Sequence, residues 1–192
     1  PELRPLFGFA QHNAHHDRDV WRHTLAVVDA VPPEPVLRWA ALLHDVCKPA
    51  CFTLGPDGVG HFYGHAEAGA QTAGAVLSRL RFDTAGRAQI AALIRWHDVP
   101  LVPERRAVRR LLRRLGEDTV RRLLQLRAAD IRGQAPDALA RLDTLCRVRD
   151  VVDALAAEAA CFSRKDLAVT GRDLLALGLQ GHAIGEALER CL

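Results

Sequence analysis

Ala40-Ala41-Leu42-Leu43-His44-Asp45-Val46-Cys47-Lys48-Pro49 is an apolar run that ends in a histidine and an aspartate, followed by a lysine and a helix-stopping proline. Trp39, Leu42 and Leu43 recur at helical spacing, so the reading is a helix over 34–46 with His44 and Asp45 at the inward edge of its last turn. The same period continues on both sides. Helices are predicted near 18–31, 64–80, 84–97, 104–115, 117–131, 136–160, 171–178 and 182–191. Asp19 or Asp17 caps the first and Pro32-Pro33 stops it, and Gly55-Pro56-Asp57-Gly58 marks a turn in a loop from about 49 to 63. Gly116 separates two arginine-rich helices. Aromatics are 5% of the chain and alternating runs are missing, so the fold class is all-α. From about Asp166 the chain is spaced by Gly171, Gly178, Gly181 and Gly185, which suggests a main domain over 1–165 and a small helical appendage over 166–192.

With 192 residues, 49% hydrophobic and 26% charged, the chain can bury a substantial core. No apolar stretch is long enough for a membrane helix and no signal core follows Pro1, so the expected setting is cytoplasmic. The five cysteines include no CxxC pair and are read as reduced thiols; Cys47 and Cys51 flank the His44-Asp45 pair. Net charge is +3 and nearly all positive charge is arginine. That bias fits codon composition as well as nucleic-acid binding. The chain begins at Pro1 and has no methionine, which fits either a processed start or a piece of a longer protein.

Five places put metal-competent side chains at an inward helix edge. His23 lies between Val20 and Val27; His44 and Asp45 follow Leu43; His65 opens a helix with Gly69, Ala73, Val76 and Leu80 below it. His97 continues the row Ile90, Leu93, Ile94, and Asp130 continues Leu123 and Leu126. A single inward histidine is usually a satisfied core residue. Polar groups turned inward at five places each need a partner, and one shared metal cluster satisfies them together. Four imidazoles and two carboxylates suit Mn, Fe, Co, Ni or Zn better than Mg alone.

His23, His44-Asp45 and Asp130 stand in the order and spacing of the H…HD…D pattern, and the chain resembles the HD phosphohydrolases. His65 and His97 stand where the two-metal members supply further histidines. Asp19-Val20-Trp21-Arg22-His23-Thr24, His61-Phe62-Tyr63-Gly64-His65, Leu80-Arg81-Phe82-Asp83, Ala129-Asp130 and Gly171-Arg172-Asp173-Leu174 are similar to the HD region of bacterial tRNA nucleotidyltransferases, the CCA-adding enzymes. Cys47 departs from that pattern, where glycine is usual. No glycine-serine turn followed by a paired-aspartate strand is found, so CCA addition by this chain alone is not expected.

The resemblance implies an HD-domain helical bundle with two divalent metal ions. Asp45 bridges them, His23, His44 and Asp130 complete one side, and His65 and His97 the other. It implies hydrolysis of phosphomonoesters or (cyclic) phosphodiesters of nucleotides or RNA ends, with Asp45 and Lys48 as catalytic residues. Lys48 either holds a phosphate oxygen or answers the helix macrodipole. His61 and Tyr63 are candidate substrate contacts, and His15 and His16 candidate entrance residues. The other reading is a tRNA-binding body module of a CCA-adding enzyme whose catalytic head is absent from this chain. The arginines at 105, 106, 109, 110, 113 and 114, with Arg121, Arg122 and Arg127 beyond, would then follow an RNA backbone or form a solvated face. Oligomeric state is not legible.

Overall fold

The computed structural model describes residues 1–12, 18–161 and 169–190. His15 and His16, and the expected boundary between 165 and 166, lie outside the described residues. Nine α-helices carry the fold among them: α1 (Val20–Ala30), α2 (Pro35–Leu43), α3 (His65–Arg79), α4 (Thr84–Trp96), α5 (Arg105–Leu115), α6 (Glu117–Gly133), α7 (Arg141–Cys161), α8 (Gly171–Ala176) and α9 (His182–Arg190). The chain is all-α apart from two two-residue strands, β1 (Thr53–Leu54) and β2 (Gly60–His61), which pair antiparallel around the predicted Gly-Pro-Asp-Gly turn.

Local chemistry sets the helix starts. The Asp19 carboxylate accepts from the amide of Arg22 at 2.7 Å and Asp83 from that of Gly86 at 2.9 Å, each satisfying a free amide of the first turn. Pro35 opens α2 at a position where no amide hydrogen is needed. Gly116, at φ +77°, makes the break between α5 and α6, a left-handed conformation that a β-carbon disfavours. Thr170 and Asp173 form a reciprocal capping box at α8, which packs on α9.

Two expected boundaries shift. Helix α2 ends at Leu43, and bonds from Val46 N to Leu43 O (3.2 Å) and Lys48 N to Asp45 O (3.0 Å) tighten the chain to a three-residue repeat before a 3₁₀ turn at Pro49–Cys51. The predicted helix over 136–160 begins as a separate 3₁₀ turn, Pro136–Ala140, and becomes α-helical at Arg141.

Helix α6 organises the packing because both its faces are apolar. Leu123 and Leu126 join one core with Val20 and Val27 of α1, Leu37 and Leu43 of α2, Leu77 of α3, and Leu93 and Ile94 of α4. Val120, Leu124 and Ile131 join a second with Val108 and Leu111 of α5 and Val148 and Val152 of α7. Each such side chain, fully buried, contributes about 1.5–3 kcal/mol. Helix α6 is thereby held from both sides, and Asp130 with it.

Candidate metal centre

The four histidines are oriented by one device. His23 Nδ1 donates to Gly133 O (3.1 Å), His44 Nδ1 to Ala41 O (2.7 Å), His65 Nδ1 to Phe62 O (2.7 Å) and His97 Nδ1 to Ile94 O (2.6 Å). A carbonyl only accepts, so the hydrogen of each ring sits on Nδ1 and each neutral ring presents its Nε2 lone pair elsewhere. His44 and His97 each follow a helix end, where carbonyls lack an intrahelical partner, and reach back three residues to one. Gly133 makes the His23 bond possible. A β-carbon there would stand 3.1 Å from both His23 Nδ1 and Val27 Cγ2.

The Nε2 atoms converge on Asp45, which is 1% exposed. Its Oδ2 lies 3.2 Å from His44 Nε2 and 3.6 Å from His23 Nε2; its Oδ1 lies 3.6 Å from both His65 Nε2 and His97 Nε2. Asp130 Oδ1 closes the first side at 3.1 Å from His23 Nε2. His44 Nε2 and both Asp45 oxygens make no hydrogen bond of acceptable geometry among the described residues. His65 Nε2 and His97 Nε2 approach to 3.3 Å. Lys48 meets one Asp45 oxygen, and a cation among the imidazoles would satisfy the rest of these buried acceptors together. His23, His44 and Asp130, and likewise His44, Asp45 and His97, bring one ligand atom each to within 4.8 Å of one another, so each group can hold a metal ion. His65 stands outside these two groups but beside His97 and Asp45.

Burial works against the ionised carboxylates, yet the charges of His44 and Lys48 hold Asp45 well below the usual carboxylate range. Asp130 is lowered too, against burial, by the His23 hydrogen bond and the charge of His44. Burial opposes protonation of His23 and His97 as well, but Asp130 for the first and Asp45 for the second leave both imidazoles raised. Burial lowers His65, with the neighbouring His97 acting the same way. The field at the centre favours positive charge.

Lys48 is 7% exposed, with Nζ 2.8 Å from Asp45 Oδ2 and 2.9 Å from Gln11 Oε1. It neutralises the central carboxylate, a role neither sequence reading named. Gln11 is delivered by an N-terminal segment lying against the hairpin, where Gly60 N donates to His12 O at 2.7 Å. A β-carbon on Gly60 would come within 2.3 Å of Gln11 O, so the close approach requires glycine. Cys47 Sγ sits 3.2 Å from Thr72 Oγ1, and Cys47 and Cys51 are free thiols.

The centre opens into a polar cavity of about 330 Å³ lined by Asp45, Lys48, His61, Tyr63, His65, His97, Asp130, Gln134 and Arg141 among others. His61 and Tyr63 stack with ring centroids 5.3 Å apart and planes 10° apart, and Tyr63 is 77% exposed. Sequence reasoning missed Gln134, whose Nε2 donates to Asp130 Oδ1 at 2.9 Å, and Arg141, which donates to Gln134 Oε1. Gln134 lies four residues past Asp130, a helical spacing that brings two side chains together and that was available as a signal. Arg141 carried none. The arginines expected to extend a basic face beyond α5 are otherwise engaged. Arg121 pairs with Glu117 and Asp153, Arg122 with Glu34, and Arg127 turns in to donate to the carbonyl of His97 at the end of α4.

An all-α bundle with a histidine–aspartate cluster beneath an open polar cavity is an arrangement from which helical proteins build metal sites. The HD domain family matches residues 14–158, and the chain belongs to that family. It is 34% identical over 98% of its length to the A-adding tRNA nucleotidyltransferase of Deinococcus radiodurans, and 41% identical over 68% of its length to the CC-adding tRNA nucleotidyltransferase of Thermus thermophilus. It is 32% identical over 99% of its length to the multifunctional CCA protein of Nitrosococcus oceani. The chain covers 45%, 31% and 46% of these three relatives, less than half of each. No helix among the described residues is long and apolar enough to cross a membrane.

Proposed function

We propose that this chain is a metal-dependent phosphohydrolase acting on phosphomonoesters or cyclic phosphodiesters of nucleotides or RNA ends. It would hold two divalent transition-metal ions on His23, His44, Asp45, His65, His97 and Asp130. The observation that carries the reading is the set of four imidazoles, each fixed through Nδ1 by a carbonyl, whose Nε2 atoms converge on the two oxygens of Asp45 below an open cavity. Asp45 turns one oxygen toward His23 and His44 and the other toward His65 and His97, the disposition of a bridging carboxylate. The ions, when bound, supply Lewis acidity that lowers the pKa of water and offsets charge developing on phosphoryl oxygens. Lys48 keeps Asp45 ionised through their 2.8 Å ion pair, and Gln11 Oε1 holds its Nζ in place at 2.9 Å. His61 and Tyr63 offer a flat aromatic wall to a nucleobase.

Metal analysis of the purified protein decides the matter, together with phosphatase and cyclic phosphodiesterase assays on wild type and Asp45→Ala. Stoichiometric metal with activity that the variant lacks supports the enzyme. Metal-free protein with no turnover under added Mn, Co or Ni sinks it.

A second reading, the tRNA-binding body of a larger nucleotidyltransferase, is favoured by the relatives' names and by helix α5. Arg106, Arg109, Arg110 and Arg113 lie exposed on α5, and no carboxylate ion-pairs with them among the described residues. Tight tRNA binding that weakens steeply with salt supports this role, which one parent protein can combine with hydrolysis.

A further inference from the structure

Most arginines that bond a side chain here meet a carboxylate: Arg79 meets Glu2, Arg95 Glu67, Arg105 Glu158 and Arg122 Glu34. Arg141 is the departure at the cavity. It is exposed, it begins α7 on the cavity wall, and its guanidinium meets the neutral carboxamide of Gln134 and no carboxylate within ion-pairing distance among the described residues. The same carboxamide donates through its nitrogen to Asp130 Oδ1 at 2.9 Å. One glutamine therefore ties the half-buried Asp130 carboxylate to a full positive charge at the mouth.

We propose that Arg141 anchors the phosphoryl group of the substrate, with Gln134 as the neutral latch that parks its guanidinium beside the site between turnovers. The inference deepens the hydrolase reading and rests on it for the identity of the ligand. Three physical points carry it. A carboxamide is a weak acceptor compared with an anion, and hydrogen bonds to ionised groups are about twice as strong as neutral ones, so a phosphate displaces the latch readily. Release leaves the Asp130 carboxylate paired, because Gln134 keeps its bond to it. Reach is adequate as well. Two hydrogen bonds and one carboxamide separate Asp130 Oδ1 from the guanidinium, on the order of 7 Å, which one phosphoryl group spans. Lys48, by contrast, is already committed to Asp45 and Gln11. The ligand class that follows is a phosphate ester, two of whose non-bridging oxygens match the two-pronged fork of a guanidinium.

The test compares wild type, Arg141→Ala, Arg141→Lys and Gln134→Ala as full chains. Inorganic phosphate binding is titrated calorimetrically with and without Mn²⁺, and KM and kcat are measured for 5′-AMP and for bis-p-nitrophenyl phosphate. Metal content and melting midpoint are recorded for each. Arg141→Ala is expected to weaken phosphate binding and raise KM about 10-fold or more, with metal content unchanged. Arg141→Lys recovers part of that loss, since it restores charge without the fork. Gln134→Ala leaves phosphate affinity equal or tighter, since the latch is gone. The proposal is overturned if Arg141→Ala binds phosphate like wild type, or if its metal content falls in parallel, which would make the arginine a mere support for Asp130. Wild-type protein that takes up metal but binds no phosphate also overturns it. Protein that binds phosphate through Arg141 yet turns over neither ester refutes the hydrolase reading and leaves the anchor standing.

Discussion

Asp45→Asn is the most informative single change, because one carboxylate serves both sides of the centre. The variant keeps the volume of the side chain and removes its charge. In the metal-free protein two effects oppose each other. The pair with Lys48 at 2.8 Å is lost, while the new amide can donate to imidazole Nε2 lone pairs that now surround an acceptor. The chelated proteins are therefore expected to melt within a few degrees of one another. Metal separates them. A ligand present at about 100 times its Kd stabilises the folded state by about 2.7 kcal/mol. For a chain of 192 residues each kcal/mol moves the melting midpoint by about 2–4 °C, so saturating metal should raise the wild type by about 5–11 °C.

In Asp45→Asn both donor sides lose their shared anion at once, and the shift should vanish. Differential scanning calorimetry with Mn²⁺, Co²⁺, Ni²⁺ and Zn²⁺, each against a chelated control, reads the difference directly. Two results would refute the reasoning. The first is a wild type whose midpoint none of these ions raises. The second is an Asp45→Asn protein whose midpoint rises as far as wild type, because the histidines would then be sufficient without the carboxylate they surround.

Gly133→Ala places a β-carbon 3.1 Å from His23 Nδ1 and should lower metal affinity about 10–100-fold with little loss of helix content, measured by competition with a chromophoric chelator; unchanged affinity would show that the His23–Gly133 bond orients nothing. Leu126→Ala, four residues before Asp130 on the buried face of α6, should cost about 2–5 kcal/mol in urea unfolding, and a cost under 1 kcal/mol would contradict the packing described. Glu2 is held down to about 2 by its bidentate bonds to Arg79, so its tether is complete above the ordinary value of 4.5 and is lost as pH falls toward 2. Glu2→Gln should therefore remove the acid dependence of amide-exchange protection in residues 1–9 over that window, and a dependence that persists would assign it elsewhere.

The parts of the molecule that followed from sequence are those where one helical period runs unbroken. His23 and Asp130 lie inside their helices, His23 four residues before Val27 and Asp130 four residues after Leu126, and periodicity alone turns them inward. His44, His65 and His97 do not share that warrant, since they stand at a C-cap, a first residue and a C-cap. Extrapolating the period past a helix end still turns them inward because each ring is recaptured by a carbonyl three residues back, a constraint with no signature in residue type. The same limit explains what stayed hidden. Lys48 looked like a free cation or a helix-terminal charge, but the three-residue repeat after Leu43 swings it onto Asp45, and its other partner arrives from position 11 through a contact that only Gly60 permits. Arg127 looked like surface charge on a basic helix and is spent on the end of α4. Side chains set by a periodic backbone are therefore legible in one sequence, while those set by a helix terminus or a non-local approach emerge only with coordinates. The centre uses both kinds. His23 and Asp130 stand within helices, His65 opens one, and His44, Asp45, Lys48, His97 and Gln134 stand just past helix ends.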